Sequence, residues 1–148
     1  MEIIRASVKN LNILANLFDE YRQFYQQESD IESAKMFLTS RLENNQSIIF
    51  LALDNNKGAG FTQLYPSFSS VSMEKIFILN DLYVNPDYRK SGIGTLLLEK
   101  AKNYSFENNS IRLFLETDKT NHSAQKLYEQ NGWTKDNEHF YFTISTKS

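Results

Sequence analysis

Cysteine is absent from this chain. That excludes disulfides, a cysteine nucleophile and thiolate metal sites. Histidine is nearly absent: His122 and His139 are the two present. A histidine-based metal cluster is therefore not expected, and no metal site is assigned. An excess of one charge is also lacking. Lys and Arg number 16 against 18 Asp and Glu, a net charge of −2 with a pI near 5.7. A general nucleic-acid binder usually needs a strongly basic face. No apolar run approaches the roughly 18 residues of a membrane span. The opening Met1-Glu2-Ile3-Ile4-Arg5-Ala6 has no apolar core of a secretory signal. The expectation is a cytoplasmic protein with no nucleic-acid or membrane partner.

Apolar material is plentiful. Hydrophobic residues make up 41% and aromatics 14% of 148 residues, enough for one core, and one domain over 1–148 is expected. Ile3 to Val8 reads as a short strand. Leu11, Leu14, Leu17, Phe18, Tyr21, Phe24 and Tyr25 recur at helical spacing. A second helix follows, with Ser29 and Glu32 in a capping-box pattern and Ile31, Ala34, Leu38 and Leu42 as its inner stripe. Ser47 to Leu53 and Gly60 to Tyr65 read as strands around the turn Asp54-Asn55-Asn56-Lys57-Gly58. Phe68 to Met73 reads as a loop.

A long strand, Glu74 to Val84, ends at Pro86. Ile93, Leu96, Leu97, Ala101 and Tyr104 then mark a helix, Ile111 to Glu116 a strand, and Asn121 to Asn131 a short helix closed by Gly132. Trp133-Thr134 and Phe140 to Ile144 read as the last strands. The predicted order is β-α-α-β-β-β-α-β-α-β-β, an α/β (α+β) fold with a mixed sheet.

The most informative segment joins the long strand to its helix. Arg89-Lys90-Ser91-Gly92-Ile93-Gly94 places two cations and a glycine turn at a helix N-terminus. Backbone N–H groups converge there, which suits phosphate. A dinucleotide fingerprint needs a third glycine where Leu97 stands. A nucleotide P-loop needs Gly-Lys-Ser/Thr, whereas Gly94 is followed by Thr95 and Leu96. Neither motif is present.

What remains resembles the GCN5-related N-acetyltransferase (GNAT) family. The run Val84-Asn85-Pro86-Asp87-Tyr88-Arg89-Lys90-Ser91-Gly92-Ile93-Gly94 matches the family's Arg/Gln-x-x-Gly-x-Gly/Ala signature after Val-x-Pro. Asn121-His122-Ser123-Ala124-Gln125-Lys126-Leu127-Tyr128-Glu129-Gln130-Asn131-Gly132-Trp133 matches its second pattern, Asn-x-x-Ala-x-x-Leu-Tyr-x-x-x-Gly-Phe/Trp.

The resemblance implies a mixed, mostly antiparallel sheet of about six to seven strands flanked by about four helices. It implies acetyl-CoA as donor. The pyrophosphate would lie on Arg89, Lys90, Ser91, Gly92, Ile93, Gly94 and Thr95. The pantetheine arm would run along the main chain of Leu82, Tyr83 and Val84 in a gap between two splayed strands. Asn121, Ser123 and Tyr128 would complete the cofactor contacts. The implied chemistry is direct attack by an amine on the thioester, with Tyr128 as acid toward the leaving thiolate. Asp81 is the first candidate base. Some relatives carry Glu-Asp where this chain has Asn80-Asp81, so Asp81 would act directly, through water, or by binding the cationic amine. Glu74 and Glu116 are weaker candidates.

The acceptor side is assigned to Tyr21, Tyr25, Asp81 and Glu116, an aromatic and acidic set suited to a small cationic amine. The alternatives are a protein N-terminus or lysine as acceptor, and a non-catalytic acyl-CoA-binding module. By analogy a homodimer is expected, with Phe140-Tyr141-Phe142 as an edge strand.

Overall fold

Alternating and helical apolar patterns become five strands and four α-helices in a computed structural model, which describes residues 1–147. Contacts divide the chain into two units, Met1–Glu116 and a second from Thr117 onward. The first unit holds β1 (Glu2–Arg5), α1 (Leu11–Phe24), α2 (Ile31–Glu43), β2 (Ile48–Asp54), β3 (Lys57–Ser69), β4 (Glu74–Val84), α3 (Ile93–Glu107) and β5 (Leu113–Phe114). The second holds α4 (His122–Gln130).

The sheet runs in the order β1-β2-β3-β4-β5, antiparallel until the parallel β4–β5 pair. Partners across a ladder share a face. Ile49, Leu51, Phe61 and Tyr83 lie on one face and pack with Leu14, Ala15, Leu17 and Phe18 of α1 and Ala34 and Leu38 of α2. The opposite face meets α3, where the Tyr104 ring lies 5.6 Å from Phe50 and 5.5 Å from Phe77. A Cβ on Gly60 would stand 2.6 Å from the Tyr83 carbonyl oxygen, so the close approach of β3 to the end of β4 needs glycine.

Several expectations are corrected. Among the described residues five strands form, where six to seven were expected. Trp133-Thr134 and Phe140–Ile144 have strand composition but are not among the strands of the described residues. The expected strand over 111–116 shortens to Leu113–Phe114, because β4 offers it two pairing positions. The loop expected at 68–73 is the end of a hairpin: the β3–β4 ladder continues to Ser69–Glu74, and Met73 N donates to Ser70 O at 3.2 Å.

The capping box at Ser29 and Glu32 does not form. Asp30 caps α2 instead, accepting from Ser33 N at 3.1 Å. Buried Asp19 of α1 explains the shift, because it accepts from Ser29 Oγ at 2.6 Å and from Asp30 N at 2.7 Å.

Candidate active site

Strict alternation along β4 would put Asp81 and Tyr83 on the same face as Phe77 and Leu79. A β-bulge prevents this. Gln63 pairs with Asp81 while Leu64 pairs with Leu79, so Asn80 is the extra residue. Bulges of this kind re-aim side chains beside functional sites. Here the bulge turns Asp81 toward the α1 side of the sheet, among Tyr21, Phe61, Gln63 and Tyr83.

Asp81 is 3% exposed. Its Oδ2 accepts from Gln63 Nε2 at 2.5 Å. Its Oδ1 accepts from Asn80 Nδ2 at 2.8 Å and from the Tyr21 hydroxyl at 3.4 Å. Burial pushes the carboxyl above its ordinary range, while the bonds from Asn80, Gln63 and Tyr21 pull it down. A carboxylate offers about four acceptor positions, so these three donors leave one for a further N–H. No cation lies within ion-pair distance of it among the described residues. Gln63 is fully buried, and its Oε1 has no partner among the described residues.

Tyrosines surround this carboxyl. The Tyr21 and Tyr25 rings meet edge to face at 5.2 Å. Burial first, and then the Asp81 charge, hold the Tyr21 hydroxyl well above its ordinary value. Burial and Asp81 push Tyr65 up to about 12, with the Arg41 charge opposing. Tyr21 thus touches both Asp81 and Tyr25. Glu116 is exposed, two positions beyond β5.

The glycine turn is built differently. Lys90 and Gly92 both have positive φ, 63° and 85°, and Gly92 caps α3 in the left-handed conformation. Nothing lies within 4 Å of a Cβ built on Gly92, so glycine is required there for its backbone conformation, not for space. Residues of such geometry turn successive N–H groups into one concavity. The amides of Lys90, Ser91, Gly92, Ile93 and Gly94 donate to no acceptor among the described residues, whereas Leu96 N already bonds Gly92 O at 3.0 Å.

The turn is anchored to β4. Arg89 Nε donates to Val84 O at 3.0 Å, and its guanidinium lies 5.8 Å from the Tyr83 ring centroid. The Ser91 hydroxyl donates to Tyr88 O. The Tyr88 hydroxyl in turn donates to Asp54 Oδ2 at 2.9 Å.

Beside the turn, β4 has an open edge. It pairs with β5 only through Phe77–Leu113 and Ile78–Phe114. From Leu79 to Val84 that edge has no partner strand among the described residues. Leu82, Tyr83 and Val84, assigned to the pantetheine arm, lie along it.

The remaining expected residues stand in the second unit. Asn121 caps α4, its Oδ1 accepting from Ala124 N at 3.2 Å. Ser123 is exposed in the first turn. The Tyr128 ring packs 5.9 Å from Trp133.

The model of the acetyltransferase (GNAT) family matches residues 12–133. The chain belongs to the GNAT family. YhfO of Bacillus subtilis (strain 168), an uncharacterized N-acetyltransferase, is 46% identical to this GNAT chain over 145 residues, 98% of the chain and 97% of the relative. A probable acetyltransferase of Haemophilus influenzae is 35% identical over 78% of this chain and 80% of its own length. A crystal structure of a probable acetyltransferase superposes with a TM-score of 0.94 at 39% identity, covering 100% of this chain and 99% of the other. With such relatives over nearly its full length, this GNAT chain is an acyltransferase.

Sequence reasoning missed Gln63, which sits in the strand read over Gly60 to Tyr65. A buried glutamine inside an apolar strand was the available signal, since a buried amide needs partners.

Proposed function

We propose that this GNAT acyltransferase transfers the acetyl group of acetyl-CoA to the primary amine of a small molecule. The observation that carries the reading is the row of five uncommitted amides at the N-terminus of α3, beside an open edge of β4. The residues present fit the cofactor. A diphosphate needs several converging donors and a positive helix end, and the turn supplies both. A pantetheine arm needs unpaired backbone, which the outer edge of 79–83 offers, the Val84 carbonyl being taken by Arg89.

Bound there, acetyl-CoA supplies the acetyl group as a thioester. In this proposal Lys90 to Thr95 hold the diphosphate through their amides, with the Arg89 and Lys90 charges alongside. The Leu82–Val84 main chain orients the arm. Asp81 receives the cationic amine at its remaining acceptor position and takes up its proton. Tyr21 and Tyr25 shield the amine from water and present ring faces to it. Asn121, Ser123 and Tyr128 are assigned to cofactor and acid roles on their sequence pattern. Work as a homodimer in the cytoplasm completes the reading, with exposed Phe140-Tyr141-Phe142 as the expected contact.

Calorimetry with coenzyme A, followed by thiol release from acetyl-CoA over an amine panel that includes peptide N-termini, tests the proposal. Binding with turnover of small amines supports it. Binding without any turnover favours the acyl-CoA-binding module, and no binding removes both.

A further inference from the structure

A buried polar atom with its hydrogen bond unmet calls for a reason. Gln63 carries one. The residue is fully buried in β3, and its Nε2 donates to Asp81 Oδ2 at 2.5 Å. Its Oε1 has no partner among the described residues. A carbonyl kept from water without a donor destabilises the fold, and an apolar side chain of similar size would carry no such cost. One end of the amide is thus in use and the other idle, both beside a carboxyl that is 3% exposed.

The donors around Asp81 are spread unevenly. Oδ1 accepts from Asn80 Nδ2 and from the Tyr21 hydroxyl, whereas Oδ2 accepts from Gln63 alone. Each carboxylate oxygen has two lone pairs, so the free position is on Oδ2. All three neighbours present N–H or O–H, an arrangement suited to the anion. A proton taken up at Oδ2 makes that oxygen a donor, and a buried donor needs an acceptor. The side chain already bonded to Oδ2 holds one at its idle end. The two ends of an amide are nearly alike in size and shape. Half a turn about the last side-chain bond therefore exchanges Nε2 and Oε1 without changing the volume filled, as close packing demands.

We propose that Gln63 is a reversible positioning residue: its amide donates from Nε2 to the Asp81 carboxylate and, after half a turn, accepts at Oε1 from the protonated carboxyl. This rests on the reading of Asp81 as the group that takes the amine's proton. In that step an N–H bond of the ammonium breaks, an O–H bond forms on Oδ2, and the freed nitrogen lone pair attacks the thioester carbonyl. The carboxyl then turns its O–H to Gln63 Oε1, and the proton passes to water as the products leave. Nε2 is left without a partner in place of Oε1, so the number of unmet groups is the same in both states. The bond to the carboxylate is charge-assisted and the stronger of the two, which makes it the resting one.

Nuclear magnetic resonance of the full chain with isotope-labelled glutamine tests this. The Gln63 signals are those absent from Gln63→Leu. The other titratable groups on this side are Tyr21 and Tyr25 of α1, Tyr65 of β3 and Tyr83 of β4. Phenols ordinarily titrate near 10, above a scan from about pH 8 to about pH 4, and burial holds Tyr21 and Tyr65 higher still. Arg41 of α2 acts on Tyr65, and Glu20 and Arg89 act on Tyr83. The transition is therefore assigned to Asp81 by its loss in Asp81→Asn.

At high pH one Nε2 proton of Gln63 should lie well downfield of the other, because it alone is bonded. As Asp81 takes its proton the two should converge, and the side-chain carbonyl carbon should move downfield as Oε1 gains a donor. A glutamine that is only a fixed donor keeps its two protons apart and its carbonyl carbon still. That pattern, a transition that persists in Asp81→Asn, or no transition at all would each overturn the proposal. Coenzyme A binding and thiol release judge the acetyltransferase reading separately, and none of these outcomes alters them.

Discussion

Strand β4 leads to two polar sites of opposite construction. At Asp81, side chains from α1, β3 and β4 converge on one buried carboxyl and nearly saturate it with donors. At the turn before α3, a single short segment presents backbone donors with no acceptor among the described residues. The first site is a charge waiting for one more donor, and the second is a set of donors waiting for a charge. The contrast shows why the two assigned tasks separate. Anion binding needs only a local backbone shape, whereas handling a proton needs a tuned side chain that distant parts of the chain must assemble.

If the division is real, variants at one site should leave the other working. Asp81→Asn should have the largest effect, lowering amine-dependent kcat/KM by about 10²–10⁴-fold, the usual worth of a proton-transferring group. Coenzyme A affinity measured by calorimetry should hardly change. The same variant should be more stable than the wild type at pH 7. Burial raises the folded-state pKa of Asp81. Its contribution is therefore most favourable below the unfolded carboxyl value of about 3.9 and is lost as pH rises through the folded value. The Tm advantage of Asp81→Asn should fade toward acid pH, and an advantage that is constant with pH would contradict the carboxyl assignment.

Gly92→Ala should do the reverse. A non-glycine residue at that φ costs about 1–2 kcal/mol, so coenzyme A should bind about tenfold more weakly. Binding of the amine acceptor, followed by thermal shift, should persist. Equal damage to both ligands would break the comparison.

Gln63→Leu sharpens it further. Removing a donor that lowers the Asp81 pKa should move the acid limb of the kcat/KM profile to higher pH. Coenzyme A affinity should stay constant, and an unmoved limb would remove Asp81 from the rate. The smallest effect belongs to Lys90→Ala, which deletes an exposed charge near a helix end. Coenzyme A affinity should drop by about two- to fivefold at low ionic strength and converge with the wild type at high salt.

The same contrast explains what was legible in advance. The turn could be read from Arg89 to Gly94 because its spacing and its helix start are local. Tyr21 and Asp81 were both assigned to the acceptor side in advance, but the bond between them was not legible. It depends on the Asn80 bulge, which arises from β3–β4 register and leaves no mark in Leu79-Asn80-Asp81. The α2 cap was misplaced for a similar reason, since Asp19, ten positions upstream of Ser29, draws that hydroxyl away. Phe140–Ile144 carried strand composition and is not a strand among the described residues.

Local order along the chain was enough to determine the element order as far as α4, the glycine turn before α3 and the family, since each depends on neighbours a few residues apart. Tertiary structure alone decided which face Asp81 occupies and which donors hold it. Those properties follow from register and packing between segments tens of residues apart, and no short window of sequence encodes them.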